Sequence, residues 1–290
     1  MRSATGCSEP LEERRLGPAD AAAACPLSDE AGWNQTPSDW AFMLEAGHGR
    51  GLFHDGRPVA TALVLRLGPA LCWISMVLVT QEFRRRGLGS RLFARCLEIA
   101  QEEGRRPGLD ATGLGRPLYA KLGFMDCHAL ARWQAPSGAL AATAPEGMEI
   151  APMDEAAMAG VLALDRELGG MERGRILAHL QERAPAAAHV ARAQGRLVGY
   201  VLGRPGRRAG QIGPLVATAP EAAPALAAAA ARAFGGAVIL DVPEESRSFR
   251  RWLEERGAAR LRGFTRMLQG SAHAPGEAAA LHAIAGPELG

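Results

Sequence analysis

The sequence predicts an α/β fold, a mixed sheet flanked by helices, present as two copies in tandem. Three observations carry that expectation. A chain of 290 residues is long for one compact domain and comfortable for two, each with a core of its own. Asp55-Gly56 lies between two apolar runs, Gly51-Leu52-Phe53-His54 and Pro58 to Leu65, which is a strong hairpin signal. The order of elements then repeats: Ala188 to Leu202 restates the hairpin, Pro214-Leu215-Val216-Ala217 restates Val77 to Thr80, Val238 to Asp241 restates Gly108-Leu109-Asp110, and Arg251 to Ala258 restates Leu118 to Phe124.

Taken in order, the chain predicts a helix near Pro18 to Cys25, a polar turn at Gly32 to Thr36, and a second helix from Ser38 or Asp39 through Glu45 with an N-cap residue at its start. The hairpin follows, then a third strand over Leu71 to Val79. Leu88, Leu92, Phe93, Cys96, Leu97 and Ala100 recur at helical spacing, so an amphipathic helix begins near Leu88. Gly108 to Ala111 reads as a short strand, and Arg116 to Phe124 as a short helix ended by Gly123 that enters another strand. The breaker-rich stretch 138–146 is the expected linker between domains 1–137 and 147–270. The tail 271–290 is weakly patterned, with a helix expected over Glu277 to Ile284. The alanine-rich run Ala222 to Ala233 is the long helix expected of the second copy.

The run from Met76 to Phe93 carries the chemistry. A buried strand leads into a basic, glycine-punctuated turn that opens a helix, so consecutive N–H groups converge on an anion with Arg84, Arg85 and Arg86 close by and no Cβ at Gly87 or Gly89. Arg14 to Ala19 and Arg232 to Ala237 match the same spacing, but the first lacks a preceding strand and the second closes a helix instead of opening one. In the second copy the turn is Ala219-Pro220-Glu221-Ala222-Ala223-Pro224, with a carboxylate, no cation, and prolines that remove N–H donors. Phosphate binding therefore belongs to the first half.

Composition narrows the classes of function. A formal charge of +2 does not point to nucleic acid. Lys121 is the sole lysine, so nearly every cation is arginine. The five cysteines (Cys7, Cys25, Cys72, Cys96, Cys127) show no metal or redox spacing, which fits free thiols in a reducing compartment. Cys72 and Cys96 sit in apolar runs and are expected in the core. The seven histidines form no ligand pair, so no metal is expected. Met1 to Gly6 lacks an apolar signal core and no run reaches membrane-spanning length, which leads to the expectation of a soluble cytoplasmic protein.

With the strand-turn-helix and the segment Leu118-Tyr119-Ala120-Lys121-Leu122-Gly123-Phe124 in place, the chain resembles the GNAT superfamily of acyl-CoA-dependent N-acyltransferases. The match extends over most of residues 15–133. The second half is similar to the degenerate C-terminal domain of a tandem-GNAT group through Asp165-Arg166-Glu167-Leu168-Gly169, Ile212-Gly213-Pro214-Leu215 and Asp241-Val242-Pro243-Glu244; Gly32-Trp33-Asn34 is similar to that group as well. The resemblance implies two GNAT-like domains, acetyl-CoA as the acyl donor, and a primary amine of a small metabolite as the acceptor. Val77, Leu78 and Val79 would meet the pantetheine arm like a neighbouring strand. Arg84, Arg85, Arg86, Gly87, Leu88, Gly89 and Ser90 would wrap the pyrophosphate.

In that chemistry a neutral amine attacks the thioester carbonyl, a backbone N–H near Val79 takes the oxyanion, and the departing thiolate accepts a proton. Tyr119 is the expected donor, because a phenol of pKa near 10 is protonated at neutral pH. Trp33, Asn34, Glu45 and Asp110 are the candidates on the substrate side, the last two as bases acting directly or through water. Asp241 repeats Asp110 in a copy where no catalysis is expected, which favours a structural role for both. Two rival readings stay open: a non-catalytic acyl-CoA-binding or regulatory protein, and an acetyltransferase of protein or peptide amines. Monomer and homodimer are equally compatible with the sequence.

Overall fold

The structure, a computed structural model, describes residues 11–290, so the readings of Met1 to Gly6 and of Cys7 lie outside the described residues. It divides into two compact units: the described part of Met1–Leu65 with Ile74–Glu103, and Arg66–Trp73 with Gly104–Gly290.

The first unit contains β1 (Glu12–Leu16), α1 (Ala21–Glu30), α2 (Pro37–Ala46), β2 (Gly47–His54), β3 (Arg57–Arg66, all but its last residue), the Ile74–Val79 part of β4 (Leu71–Val79) and α3 (Leu88–Glu102). Its strands lie in the order β1-β2-β3-β4. Asp55 and Gly56 have φ of 50° and 72°, the pair of positive values a two-residue hairpin turn needs to match strand twist. Thr36, not Ser38 or Asp39, caps α2. Its side chain accepts from Asp39 N at 3.3 Å while the Asp39 carboxylate accepts from Thr36 N at 2.7 Å, and Pro37 takes the first helical position, where its fixed φ and missing N–H cost nothing. On α3, Leu88, Leu92, Phe93, Cys96 and Ala100 are buried, as the helical spacing requires.

The second unit contains the remainder of β3 and β4, then β5 (Arg106–Thr112), α4 (Arg116–Lys121), β6 (Phe124–Pro136), β7 (Met148–Pro152), α5 (Glu155–Gly169), α6 (Gly174–Arg183), β8 (His189–Ala193), β9 (Arg196–Arg204), β10 (Gly210–Ala217), α7 (Ala222–Ala231), β11 (Ala237–Pro243), α8 (Arg247–Glu255), β12 (Ala259–Gln269) and β13 (Leu281–Ala283). Its strand order is β5-β12-β6-β11-β10-β9-β8-β7, with β13 on β10. The hairpin turn of the first copy recurs at Gln194 and Gly195, with φ of 50° and 76°. Helix α7 is nearly all alanine and almost wholly buried; with Leu226 as its one large apolar side chain it packs closely among Leu215, Val238, Leu240 and Phe249.

The last strands of the two copies change places. β12 of the second copy lies antiparallel to β5 of the first, with Arg266 opposite Asp110, while β6 of the first lies antiparallel to β11 of the second, with Arg132 opposite Asp241. Between them β6 and β12 pair with each other along most of their length, Leu130 opposite Phe264. Both facing pairs are bidentate ion pairs: Arg132 donates to the two Asp241 oxygens at 2.7 Å each, and Arg266 to those of Asp110 at 2.9 and 2.8 Å. All four side chains are buried. This exchange is why the compact units do not coincide with the two copies of the sequence repeat.

The tail differs from the expectation of a helix over Glu277 to Ile284. It forms a 3-10 turn at Ala278–Ala280 and then β13, antiparallel to β10 through Leu215↔Ala283 and Val216↔Leu281. A short apolar run suits either conformation, and the ladder edge that β10 offers decides for strand. Beyond it the chain is pinned by buried groups: Arg204 pairs with Glu288, Trp73 Nε1 donates to Pro287 O at 2.9 Å, and Arg173 Nη1 donates to Gly290 O at 2.7 Å. Arg173 also holds the buried Asp165, which accepts from the Tyr200 hydroxyl.

Removing one partner of a buried pair leaves the other charge uncompensated. Asp241→Ala is expected to cost about 3–5 kcal/mol through Arg132, and Asp110→Ala a similar amount through Arg266, read from equilibrium urea unfolding. A second expectation concerns pH. Burial brings His128 and His282 from 6.5 down to about 4, with the nearby Arg266 adding to the effect at His128. The unfolded chain therefore takes up protons below pH 6.5 that the folded chain refuses until about pH 4, so stability is complete above that window and falls as pH drops through it. In His282→Gln the fall between pH 6.5 and 4, followed by thermal unfolding, is expected to be shallower.

Candidate functional site

Strand β4 leaves the sheet at Val79 and enters a 3-10 turn at Gln81–Phe83. Arg84 to Arg86 follow, with Arg85 at φ 62°, and Gly87 stands at the N-cap of α3 in the left-handed region, φ 75° and ψ 2°. Glycine reaches that conformation without a Cβ penalty, and it turns the chain so that α3 starts directly after the arginines. The N–H groups of Leu88, Gly89 and Ser90 form the first turn of α3 and have no carbonyl of their own helix to receive them. They and the helix dipole are directed at whatever lies before the helix. A Cβ on Gly89 would already touch Val79 Cγ2 at 3.4 Å, so a larger side chain there crowds the approach along β4.

The arginines divide their work in a way the sequence did not reveal. Arg84 donates through Nε to Val79 O at 3.1 Å and through Nη2 to Glu30 at 3.3 Å. Arg86 donates to Glu82 O at 3.0 Å and lies 4.8 Å over the ring of Phe83, which is buried against His54. All three arginines are exposed; Arg84 fastens the turn to β4 and to Glu30 of α1, and Arg86 fastens it to itself. Glu30, at the end of α1, also accepts from the Thr80 hydroxyl at 2.6 Å and from Gln81 N at 2.5 Å. Sequence reasoning missed Glu30, because a carboxylate fifty residues before the turn leaves no local trace of its partners. A cavity of about 540 Å³ adjoins this carboxylate, lined by Pro26, Leu27, Arg57, Thr80 and Phe83 among others.

The other sequence candidates on this unit are Trp33, half-buried with its backbone N–H on Ser28 O at 2.8 Å, Asn34, which is buried, and Glu45, exposed on α2. Val77 and Val79 are partly exposed and Leu78 is buried. Tyr119 and Asp110 belong to the second unit. Tyr119 is half-buried on α4, its ring packed over Gly115, where a Cβ would lie 2.8 Å from Cε2, and 6.2 Å from the ring of Phe124. Gly123, at φ 83°, ends that helix. Asp110 has both oxygens on Arg266; burial pushes its carboxyl up while the guanidinium opposes the shift. The same arrangement at Asp241 gives the two aspartates matching places in the two copies.

Among the described residues no group of three or more His, Cys, Asp or Glu is arranged to hold a metal ion, and no helix is long and apolar enough to cross a membrane. Cys25, Cys72, Cys96 and Cys127 are free thiols, the first three buried. Because Glu30 ties Thr80, Gln81 and Arg84 together, Glu30→Ala is expected to loosen this segment first. Hydrogen exchange should then speed up at Gln81 and Phe83 while the centre of α3 keeps its protection.

The family described as "Acetyltransferase (GNAT) family" matches residues 20–124, and the one described as "Acetyltransferase (GNAT) domain" matches residues 161–283. An uncharacterised N-acetyltransferase of Bacillus subtilis, YitH, is 27% identical over 233 residues, which is 80% of this chain and 82% of that one. The crystal structure of a putative acetyltransferase from Pyrococcus horikoshii superposes with a TM-score of 0.79 at 21% identity, over 100% of this chain and 99% of the other. A tandem GNAT protein from the clavulanic acid biosynthesis pathway gives 0.62 at 17% identity, over 89% and 98%. These structural likenesses concern the fold, and the family matches support an acetyltransferase activity. With one such domain in each half, the chain belongs to the GNAT superfamily and is a tandem member of it.

Proposed function

We propose that the protein is an acetyl-CoA-dependent N-acetyltransferase that moves the acetyl group to a primary amine of a small metabolite by direct attack on the thioester. The observation that carries this reading is the first turn of α3, opened by left-handed Gly87 and preceded by a turn that Arg84 ties to β4 and to Glu30 and that Arg86 ties to Glu82 O. Such a turn suits a pyrophosphate. In this proposal the N–H groups of Leu88, Gly89 and Ser90 take the phosphate oxygens, Val77 to Val79 align the pantetheine arm, and exposed Arg85 adds charge. Tyr119 donates the proton that the departing thiolate needs. Trp33, Asn34 and Glu45 are assigned to the acceptor side. Asp110, held on both oxygens by Arg266, is assigned to the framework. The domains are residues 1–137 and 147–270, the second without turnover, and the free thiols fit a cytoplasmic enzyme.

Isothermal titration with acetyl-CoA tests the cofactor. Wild type is expected to bind, and Arg84→Ala/Arg86→Ala to bind at least tenfold more weakly because the turn is no longer fastened; absence of wild-type binding overturns the proposal. A screen of small amines and peptides with thiol detection then tests turnover. Tyr119→Phe is expected to lower kcat by about 10²–10⁴ while leaving acetyl-CoA affinity unchanged. A rate indifferent to Tyr119→Phe removes the donor role, and a chain that binds acetyl-CoA without acetylating any amine is a binding protein instead.

A further inference from the structure

Met76, in the middle of β4, has a backbone conformation that strands do not use: its φ is 51°, and the residue is buried. The other non-glycine residues with positive φ among the described residues, Asp55, Arg85 and Gln194, all stand in turns between elements. A residue with a Cβ is disfavoured in the left-handed region and stays there only where its surroundings hold it. The hold comes from the neighbouring strand. Thr61 of β3, wholly buried, donates its hydroxyl proton to Met76 O at 2.8 Å. A trans peptide points its C=O and N–H in opposite directions. With Met76 O drawn to β3, the N–H of Val77 is turned to the side of β4 away from β3.

The second copy lacks this arrangement. Thr61 follows Gly56 by five residues as Tyr200 follows Gly195, and Met76 precedes Val77 as Gly213 precedes Pro214. Tyr200 is buried, but its hydroxyl goes to Asp165. Gly213 has φ of 144°, which glycine adopts without any hold. Its place is set by the tail, since a Cβ there would stand 2.0 Å from Ile284 O. A residue that carries a side chain at positive φ and is fixed by a hydroxyl therefore belongs to the copy with the donor-rich turn and is missing from the other.

We propose that Thr61 is a positioning residue for acetyl transfer, its hydroxyl holding the Met76–Val77 peptide so that the Val77 N–H faces the thioester oxygen. The inference rests on the acetyl-transfer reading and adds to it the residue that orients a donor. As the amine nitrogen bonds to the thioester carbon, an electron pair moves to the oxygen, and an N–H fixed in advance toward that oxygen stabilises the charge. The pair then returns and the C–S bond breaks. The sulfur takes the Tyr119 proton, and the nitrogen releases one proton to water, from which Tyr119 recovers its own. Without the Thr61 hydroxyl, Met76 O is left buried and unpaired, and Met76 gains by returning to the extended region. That return turns the peptide over and presents a carbonyl oxygen where the N–H stood.

Thr61→Val keeps the shape of the side chain and removes the hydroxyl, while Thr61→Ser keeps the hydroxyl. In the full chain, Thr61→Val is expected to lower kcat by about 10²–10³ with acetyl-CoA affinity unchanged by isothermal titration, and Thr61→Ser to stay close to wild type in both. Thr61→Val/Met76→Gly, in which glycine reaches positive φ unaided, is expected to regain at least tenfold of the lost rate. Infrared difference spectra of bound acetyl-CoA, isotope-labelled at the thioester carbonyl carbon, give a readout that needs no acceptor. The carbonyl band should lie lower in wild type and Thr61→Ser than in Thr61→Val. An unchanged kcat or band in Thr61→Val, or a loss that falls on acetyl-CoA affinity and that Met76→Gly does not repair, overturns the role of Thr61 while the turnover of wild type stands. Absence of acetyl-CoA binding or of turnover in wild type overturns the acetyl-transfer reading itself, and the positioning role with it.

Discussion

The reciprocal pairing of β6 and β12 is the constraint on which the second unit depends. Each strand is long, each is donated by one copy to the fifth strand of the other, and each carries an arginine to a buried aspartate across the ladder. A guanidinium and a carboxylate in bidentate contact neutralise each other in a dry setting, but only in one register. A slip by one residue would turn Arg132 and Arg266 to the opposite face and strand four charges. The ion pairs therefore specify alignment more than they add stability, and the hydrophobic residues around them supply the burial.

The local elements were legible and the long-range ones were not. Asp55-Gly56, Gly123 and the apolar spacing of Leu88 to Ala100 announce their conformations because the cause lies within a few residues. The cap of α2 was displaced to Thr36, since several capping residues stand in a row and only the position of Pro37 selects among them. Glu277 to Ile284 was misread as a helix because the ladder that makes it a strand is on β10. The exchange of β6 and β12 has no signature in either strand. At the candidate site the turn was legible from its glycines and context. The use of Arg84 and Arg86 as internal ties was not, because it depends on Glu30, Val79 O and Glu82 O. The repeated aspartate already favoured a framework role, and its arginine partner became visible only in three dimensions.

The two copies illustrate how one frame supports different ends. Both have a fourth strand whose pairing with the fifth stops after three residues. In the first copy the strand continues into a turn rich in N–H donors. In the second it continues into prolines and a glutamate, and a strand from the chain's own tail completes the ladder. The change of turn and the covering strand concern the same region of the copy, where β13 pairs with β10 beyond the point at which β11 stops.

The exchange of last strands also sets a sequence of events. The contact between Arg266 and Asp110 joins residues 156 apart in the chain, and that between Arg132 and Asp241 joins residues 109 apart. During synthesis β5 must wait with its edge unpaired until β12, which covers it from far along the chain, has emerged. Loops of that length close slowly, and an uncovered strand is an invitation to pair with a neighbouring chain. A newly made copy of the first half is thus a folding intermediate rather than a finished domain, and its first suitable partner is the second half of the same molecule.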